Sequence, residues 1–263
     1  MISAIIELKS DFDGILTAAN GYLLLSAVKH ALRDTILLPL FHNDEKSKPF
    51  TLSCVVPLDF WSGINSNSKT YEDKFLIDKN DIMSFRITFL HDNHYEQFKD
   101  IFTPKRMTIG GMGFSSISIT DVCHVDKNDW KQAPSIDSVE FRFISPVGFK
   151  NSGKQNVLPT PSAVFNSLIT KWSNSFGEEL IEKYCKDMNL NRIMVDSFDI
   201  RTNEFKLKDG LIFRGCVGSI TYCFNEINNE NEKRVLSWLS KFAFFSGIGY
   251  KTTQGMGQVV AYI

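Results

Sequence analysis

No stretch of this chain approaches the roughly 18 consecutive apolar residues that a membrane-crossing helix requires. Its N-terminus, Met1-Ile2-Ser3-Ala4-Ile5-Ile6-Glu7, lacks the basic segment and apolar run of a secretory signal. Cysteine is sparse. The five cysteines are odd in number, scattered, and never spaced C-x-x-C, which argues against a disulfide framework and against a zinc site of ordinary spacing. A reducing cytoplasm is the expected compartment. His91, His94, Cys123 and His124 fit no standard ligand pattern either, so no metal and no cofactor is expected. Acid is missing from two long segments. Phe141 to Gly177 holds Arg142, Lys150, Lys154 and Lys171 but no Asp or Glu, and Lys233 to Ile263 holds Lys233, Arg234, Lys241 and Lys251 with none. The net charge of −1 hides this asymmetry, and local positive potential is what a polyanion responds to.

The apolar share of 43% and aromatic share of 13% suffice for real cores. The 263 residues divide naturally into two domains. Ile2–Leu8 reads as a strand. A helix follows from Gly21 with Asn20 as N-cap, its buried stripe being Leu23, Leu24, Ala27, Val28, Ala31 and Leu32. Phe50–Val56 reads as a strand, Phe75–Leu90 as a long strand or hairpin, Tyr95–Ile101 as a helix, and Ile117–Val125 as a half-buried strand. The polar patch 126–135, with Pro134, marks a boundary between domains at 1–130 and 136–263. The second half opens on a strand at Val139–Ile144. Thr160 then caps a helix with Pro161 in its first position, running to Trp172. A helix at 178–188, strands at Ile193–Lys206 and Leu211–Phe224 joined by a turn at 208–210, a helix from Asn228 to Phe245, and a strand within Gly255–Tyr262 complete the order. Each half follows β-α-β-β-α-β, so the expected class is α+β with two tandem ferredoxin-like, RRM-like domains.

The most distinctive segment is Phe244-Phe245-Ser246-Gly247-Ile248-Gly249-Tyr250-Lys251-Thr252-Thr253-Gln254-Gly255-Met256-Gly257-Gln258. Glycine permits positive φ and close backbone approach, and exposed N–H groups of such a loop can hold phosphate oxygens. Lys251 adds charge, Thr252, Thr253 and Gln254 add neutral donors, and Tyr250 can stack on a base. The order helix-loop-strand excludes the dinucleotide fingerprint, and no Walker A spacing is present. A purely structural connection with Gly247 as helix C-cap is the competing reading. Arg214-Gly215 opens like an RNA-recognition signature, but that signature's stacking aromatics are missing. Phe242, Phe244 and Phe245 read as core of the second half.

In the first half, Tyr22, Ser26, Lys29 and Arg33 fall at i, i+4, i+7 and i+11, a polar ridge opposite the apolar stripe, with His30 at its border. The chain then passes Pro39 to His42 in a short polar loop beside Lys46 and Lys48. An imidazole can transfer protons near neutrality, and neighbouring cations can stabilise developing negative charge, so these residue types suit general acid–base chemistry.

The glycine-rich segment resembles the C-terminal signature of the CRISPR-associated repeat-processing endoribonucleases, members of the repeat-associated mysterious protein (RAMP) superfamily. Arg214-Gly215-Cys216-Val217-Gly218-Ser219-Ile220-Thr221-Tyr222 is similar to the strand preceding that family's last helix. Ser145-Pro146-Val147-Gly148-Phe149-Lys150, Leu158-Pro159-Thr160-Pro161, Leu168 and Trp172 resemble the start of its second domain. His42-Asn43-Asp44 followed by Lys48-Pro49-Phe50-Thr51-Leu52-Ser53 resembles its catalytic region. The resemblance implies two ferredoxin-like domains with RNA in a cleft between them. It implies metal-free cutting of CRISPR precursor RNA within repeats, leaving a 2′,3′-cyclic phosphate and a 5′-hydroxyl. It favours His42 as the catalytic histidine, with His30 as second choice and Tyr22, Lys48 and Lys29 as helpers. Gly247, Gly249, Tyr250, Lys251, Thr252, Thr253, Gln254, Gly255, Gly257, Lys150 and Lys154 are the expected RNA-binding set. The expected partner is CRISPR repeat RNA, with room for an effector complex and a homodimer and with no membrane. The alternative within the same superfamily is a non-cleaving RNA-binding subunit of a CRISPR effector complex.

Overall fold

A computed structural model describes residues 1–42, 48–61, 74–102, 105–151, 153–177, 179–185, 188–207 and 211–263. The fold is mixed α+β and forms two compact units. One is built on Met1–His124 and includes Thr253–Gly255; the other is built on Val125–Lys206, Leu211–Thr252 and Met256–Ile263.

The first unit contains β1 (Ile2–Ser10), β2 (Gly14–Thr17), α1 (Gly21–Ala31), α2 (Leu38–His42), β3 (Phe50–Leu52), β4 (Val56–Pro57), β5 (Lys74–Ile77), β6 (Ile82–Phe89), α3 (Asp92–Phe102), β7 (Arg106–Ile109) and β8 (Met112–His124). Its main sheet runs in the order β3-β6-β1-β8-β7, with β4 also on β6, and β2 and β5 pair separately. Every pairing is antiparallel. Alternation along β1 sends Ala4, Ile6 and Leu8 into the core, which they share with Leu24 and Val28 of α1, Leu32 at its C-terminal end, and Phe98 and Phe102 of α3. Each fully buried side chain of this size stabilises the unit by about 1.5–3 kcal/mol relative to exposure.

Three details depart from the expectations for this half. The predicted strand Phe50–Val56 is two short pieces on β6, interrupted at Ser53–Val55. At the break, Ser53 N–H donates to the Arg86 carbonyl at 2.9 Å and Arg86 N–H donates to Ser53 Oγ at 2.8 Å. Asn20 occupies the N-cap position of α1, but its side chain makes no cap. Its amide instead donates to the carbonyls of Thr17 and Val55, both at 2.9 Å, and accepts from Val55 N–H at 2.7 Å. The amide completes the gap between β3 and β4, and this outweighs a local cap. Finally, α1 ends at Ala31, so Arg33 lies beyond the helix, where its guanidinium pairs with Asp34 at 3.2 Å.

The second unit contains β9 (Ser138–Val147), β10 (Phe149–Asn151), β11 (Lys154–Asn156), α4 (Pro161–Phe176), α5 (Glu179–Tyr184), β12 (Met194–Lys206), β13 (Ile212–Cys223), α6 (Glu230–Ser246) and β14 (Val259–Tyr262). Its sheet is ordered β12-β13-β9-β14 and is antiparallel throughout, with a β10-β11 hairpin beside it. In each unit the four long-range strands therefore lie in the spatial order second, third, first, fourth. Helix α4 starts as its sequence demands: Thr160 Oγ accepts from Ala163 N–H at 3.2 Å and Pro161 leads the first turn. It runs past Trp172 to Phe176, where Gly177 at φ 85° ends it. The cap of α6 is Asn229 and not Asn228, its side chain accepting from Asn231 N–H at 3.0 Å. Helix α5 is shorter than expected, and the last strand begins only at Val259. The core joins α4 to α6 through Trp172, Trp238 and Phe242, with Trp172 edge-on to both partners at 5.9 and 5.1 Å. Phe242 and Phe245 are buried and Phe244 is half-buried. The turn expected at 208–210 lies outside the described residues.

Candidate functional site

In the first unit, His42 is the last residue of the five-residue helix α2 and not part of a loop. So short a helix has little stability of its own. Phe41 fixes it: the ring is 1% exposed and packs against Phe50 at 4.3 Å and Phe89 at 6.4 Å. The neighbouring His42 is consequently exposed at the helix end. On α1, Tyr22 and Lys29 are half-buried and His30 and Ser26 are exposed. Lys48 is half-buried ahead of β3. Asn43, Asp44 and Lys46 lie outside the described residues. Of the histidines set aside as metal ligands, His124 faces the Asp92 carboxylate at 3.0 Å and His91 packs edge-on against His94 at 5.5 Å.

After α6, Gly247, Gly249 and Gly257 of the second unit hold positive φ, 62°, 77° and 71°, as does Gly255, which clusters with the first unit, at 89°. Gly249 shows why. A Cβ there would stand 2.1 Å from the Gly148 carbonyl oxygen, so the loop lies directly on the backbone that precedes β10. Lys251 also holds positive φ, 62°, which few non-glycine residues adopt.

The glycine N–H groups are spoken for within the protein. Gly247 donates to the Ala243 carbonyl at 2.9 Å, Gly249 to Ser167 Oγ at 3.0 Å, Gly255 to the Leu52 carbonyl at 3.1 Å and Gly257 to the Pro146 carbonyl at 2.9 Å. Tyr250 N–H donates to the Gly148 carbonyl at 3.1 Å. In this conformation these amides shape the loop and are not free to cradle a phosphate. The tip of the loop, Tyr250, Lys251, Thr252, Thr253 and Gln254, is half-exposed, with the Tyr250 hydroxyl itself buried. Thr253–Gly255 cluster with the first unit, where the Gln254 backbone lies so close to the start of α1 that a Cβ on Gly21 would meet its carbonyl oxygen at 2.3 Å.

Cations gather beside the tip. The Lys150 ammonium sits over the Tyr250 ring at 5.2 Å, and Phe213 packs on that ring at 5.0 Å. Burial, and then the Lys150 charge, push the Lys251 pKa below the ordinary lysine value. The two ammonium groups thus share one neighbourhood at a mutual cost, which a bound anion would relieve. Lys154 is exposed on the β10-β11 hairpin. Gln155 ties this hairpin to β13, donating to the Ile212 carbonyl and accepting from Arg214 N–H, both at 3.0 Å. Other cations of the acid-poor segments are engaged elsewhere: Lys233 with Asp137 at 2.6 Å, Lys241 over the Trp238 ring, and Lys171 with the end of α6.

Residues 141–259, which run from within β9 to the first residue of β14 and hold the loop and its cations, match the family model for CRISPR-associated endoribonuclease Cas6. That segment, a little under half of the chain, is similar to the Cas6 family. A CRISPR-associated endoribonuclease Cas6 from Streptococcus thermophilus is 27% identical over 120 residues, which are 44% of this chain and 47% of that protein. The match thus spans about half the length of that curated relative. Whole-chain likeness comes from solved structures. A Cas6 product complex superposes with a TM-score of 0.72 at 22% identity, covering all of both chains. Thermus thermophilus Cas6 gives a TM-score of 0.69 at 20% identity over 99% of this chain and 98% of its own. A RAMP protein described as binding different RNA substrates gives a TM-score of 0.63 at 16% identity, again with full coverage. At such identities these structures establish a shared fold.

Sequence reasoning did not single out Ser167, and it named Lys171 only as a cation of an acid-free segment. Both hold the loop from α4, and their i, i+4 spacing was the available signal.

Proposed function

We propose that this chain is a member of the Cas6 family and an endoribonuclease that cuts CRISPR precursor RNA within its repeats. The observation carrying the proposal is the side-chain cluster around the glycine-rich loop, Lys150, Tyr250 and Lys251, inside the segment that matches the family model. Each unit is read as a ferredoxin-like domain, in keeping with its antiparallel strand order. The loop tip and Lys150 and Lys154 hold RNA through phosphate charge and neutral donors, and the glycines give the loop its shape.

The chemistry assigned to the first unit needs only groups that protein and RNA supply. The ribose 2′-oxygen loses its proton to a base and attacks the adjacent phosphorus. The bond to the 5′-oxygen breaks, and that oxygen gains a proton from an acid. The products are a 2′,3′-cyclic phosphate and a 5′-hydroxyl. The nucleophile is already part of the substrate, so proximity is built in and no metal is needed to generate it. His42, exposed at the rigid end of α2, is assigned one of the two proton transfers. Lys48, Lys29, Tyr22 and His30 are the candidates to stabilise charge or complete the proton relay. A histidine-to-alanine mutant of Cas6 and a Cas6 complex with a substrate mimic are among the similar solved structures, and both support this direction of reading. Cytoplasmic location, association with a CRISPR effector complex and homodimerisation belong to the proposal as well.

The test is incubation of the pure protein with labelled repeat RNA and EDTA. A discrete product ending in a cyclic phosphate supports the nuclease. Tight binding with intact RNA would make the chain a non-cleaving RNA-binding subunit.

A further inference from the structure

The glycine-rich loop cannot be held in place by glycine. Residues free to adopt positive φ specify no single conformation, and every such residue adds backbone entropy that something else must overcome. In the second unit that restraint comes from one face of α4. Ser167 and Lys171 are four residues apart, so their side chains lie one above the other on the helix. Ser167 Oγ accepts from Gly249 N–H at 3.0 Å. Lys171 Nζ donates to the Ser246 carbonyl at 3.0 Å and to the Gly247 carbonyl at 2.9 Å. Ser246 Oγ adds a bond to the Gly247 carbonyl at 3.0 Å.

Each bond answers a specific need. The Ser246 and Gly247 carbonyls stand at the C-terminal end of α6, where the last carbonyls of a helix lack intrahelical partners and the helix dipole is negative. A lysine ammonium satisfies both and is attracted by the dipole. The Gly249 amide precedes Tyr250 and Lys251, the first half-exposed residues of the tip. Both sides of Ile248 are thereby pinned, and with them the direction in which the chain leaves α6.

Resting on the reading of this loop as RNA-binding, we infer that Ser167 and Lys171 are positioning residues: they fix the Ser246–Gly249 backbone so that Tyr250 and Lys251 are presented to RNA beside Lys150. They do not touch RNA themselves. Their loss is felt in affinity, with the cleavage rate of bound RNA unchanged.

The experiment compares the full chain with Ser167→Ala, Ser167→Thr and Lys171→Met. Val164→Ala, in the buried core-facing row of α4, serves as the control for general loosening of the helix. Repeat-RNA affinity, single-turnover cleavage at saturating protein, and amide hydrogen exchange at Gly249 are measured on each. Ser167→Ala and Lys171→Met are expected to weaken binding about three- to ten-fold, the range corresponding to the ordering supplied by one or two hydrogen bonds. They should leave the single-turnover rate within two-fold of the parent (about the scatter of such comparisons). Ser167→Thr, which keeps the oxygen, restores affinity, and exchange at Gly249 speeds up only where the oxygen is lost. Unchanged affinity in both variants overturns the inference, as does an equal loss in Val164→Ala. If the parent chain binds no repeat RNA, the RNA reading itself fails, whereas protection at Gly249 that is insensitive to Ser167→Ala defeats the clamp whatever the RNA result.

Discussion

Replacing Gly249 with alanine should cost far more than replacing Gly153, although their backbones look alike. Gly249 has φ 77° and Gly153 has φ 80°, so alanine at either site pays for a left-handed conformation, about 1–2 kcal/mol. The surroundings separate them. A Cβ at Gly153 meets nothing within 4 Å, whereas at Gly249 it stands 2.1 Å from the Gly148 carbonyl oxygen. That oxygen is backbone and cannot rotate away. Relief requires a shift that opens the Tyr250 N–H bond to the same carbonyl, 3.1 Å, and the Gly249 N–H bond to Ser167, 3.0 Å. At about 0.5–1.5 kcal/mol for each bond, Gly249→Ala should lose roughly 1–3 kcal/mol beyond Gly153→Ala. Urea unfolding followed by tryptophan fluorescence measures this, since Trp172 and Trp238 are both buried in this unit. Equal losses in the two variants would refute the reasoning that close packing, beyond positive φ, demands glycine in this loop.

Two further outcomes follow from buried polar groups. Asn20→Ala leaves both the N–H and the carbonyl of Val55 without the partner the amide supplies, and should destabilise the first unit by about 2–4 kcal/mol in the same urea assay. Burial pushes the Lys171 pKa down to about 7 from 10.5. Between those values the unfolded chain binds more protons, so this group makes stability rise with pH above about 7 and contributes its full burial cost below it. The parent should therefore gain more stability than Lys171→Met between pH 7 and pH 9, read as the difference in unfolding free energy.

How much of this was legible in the sequence depended on how local the determining contact is. Thr160 and Pro161 announced α4 because both act within one turn of it. The buried stripe of α1 was readable from its period, and Leu24, Ala27, Val28 and Leu32 are indeed buried. Asn20 was misjudged because a side chain suited to a local cap was recruited by Val55, 35 residues away. Helix α2 was taken for a loop because five residues are too few to show a helical period; what makes it rigid is Phe41 against Phe50 and Phe89. The loop glycines were identifiable, but the fate of their amides was not. Ser167, Leu52 and Pro146, which receive three of them, are remote in sequence and could be matched to the loop only by the fold. The Lys150–Tyr250–Lys251 grouping was likewise visible as residue types and not as an arrangement, since it is the packing of Gly249 and Tyr250 on Gly148, a hundred residues earlier in the chain, that brings the loop beside β10.

The most direct test of the account is cleavage of labelled CRISPR repeat RNA in EDTA by the parent chain and by His42→Ala. The account predicts one discrete cut by the parent, with a 2′,3′-cyclic phosphate on the upstream fragment. In His42→Ala it predicts a rate at least about 100-fold lower, the usual contribution of a positioned proton-transfer group, with RNA affinity essentially retained. Cleavage by His42→Ala at the parent rate, or a parent that cuts only when a divalent metal is supplied, would contradict it.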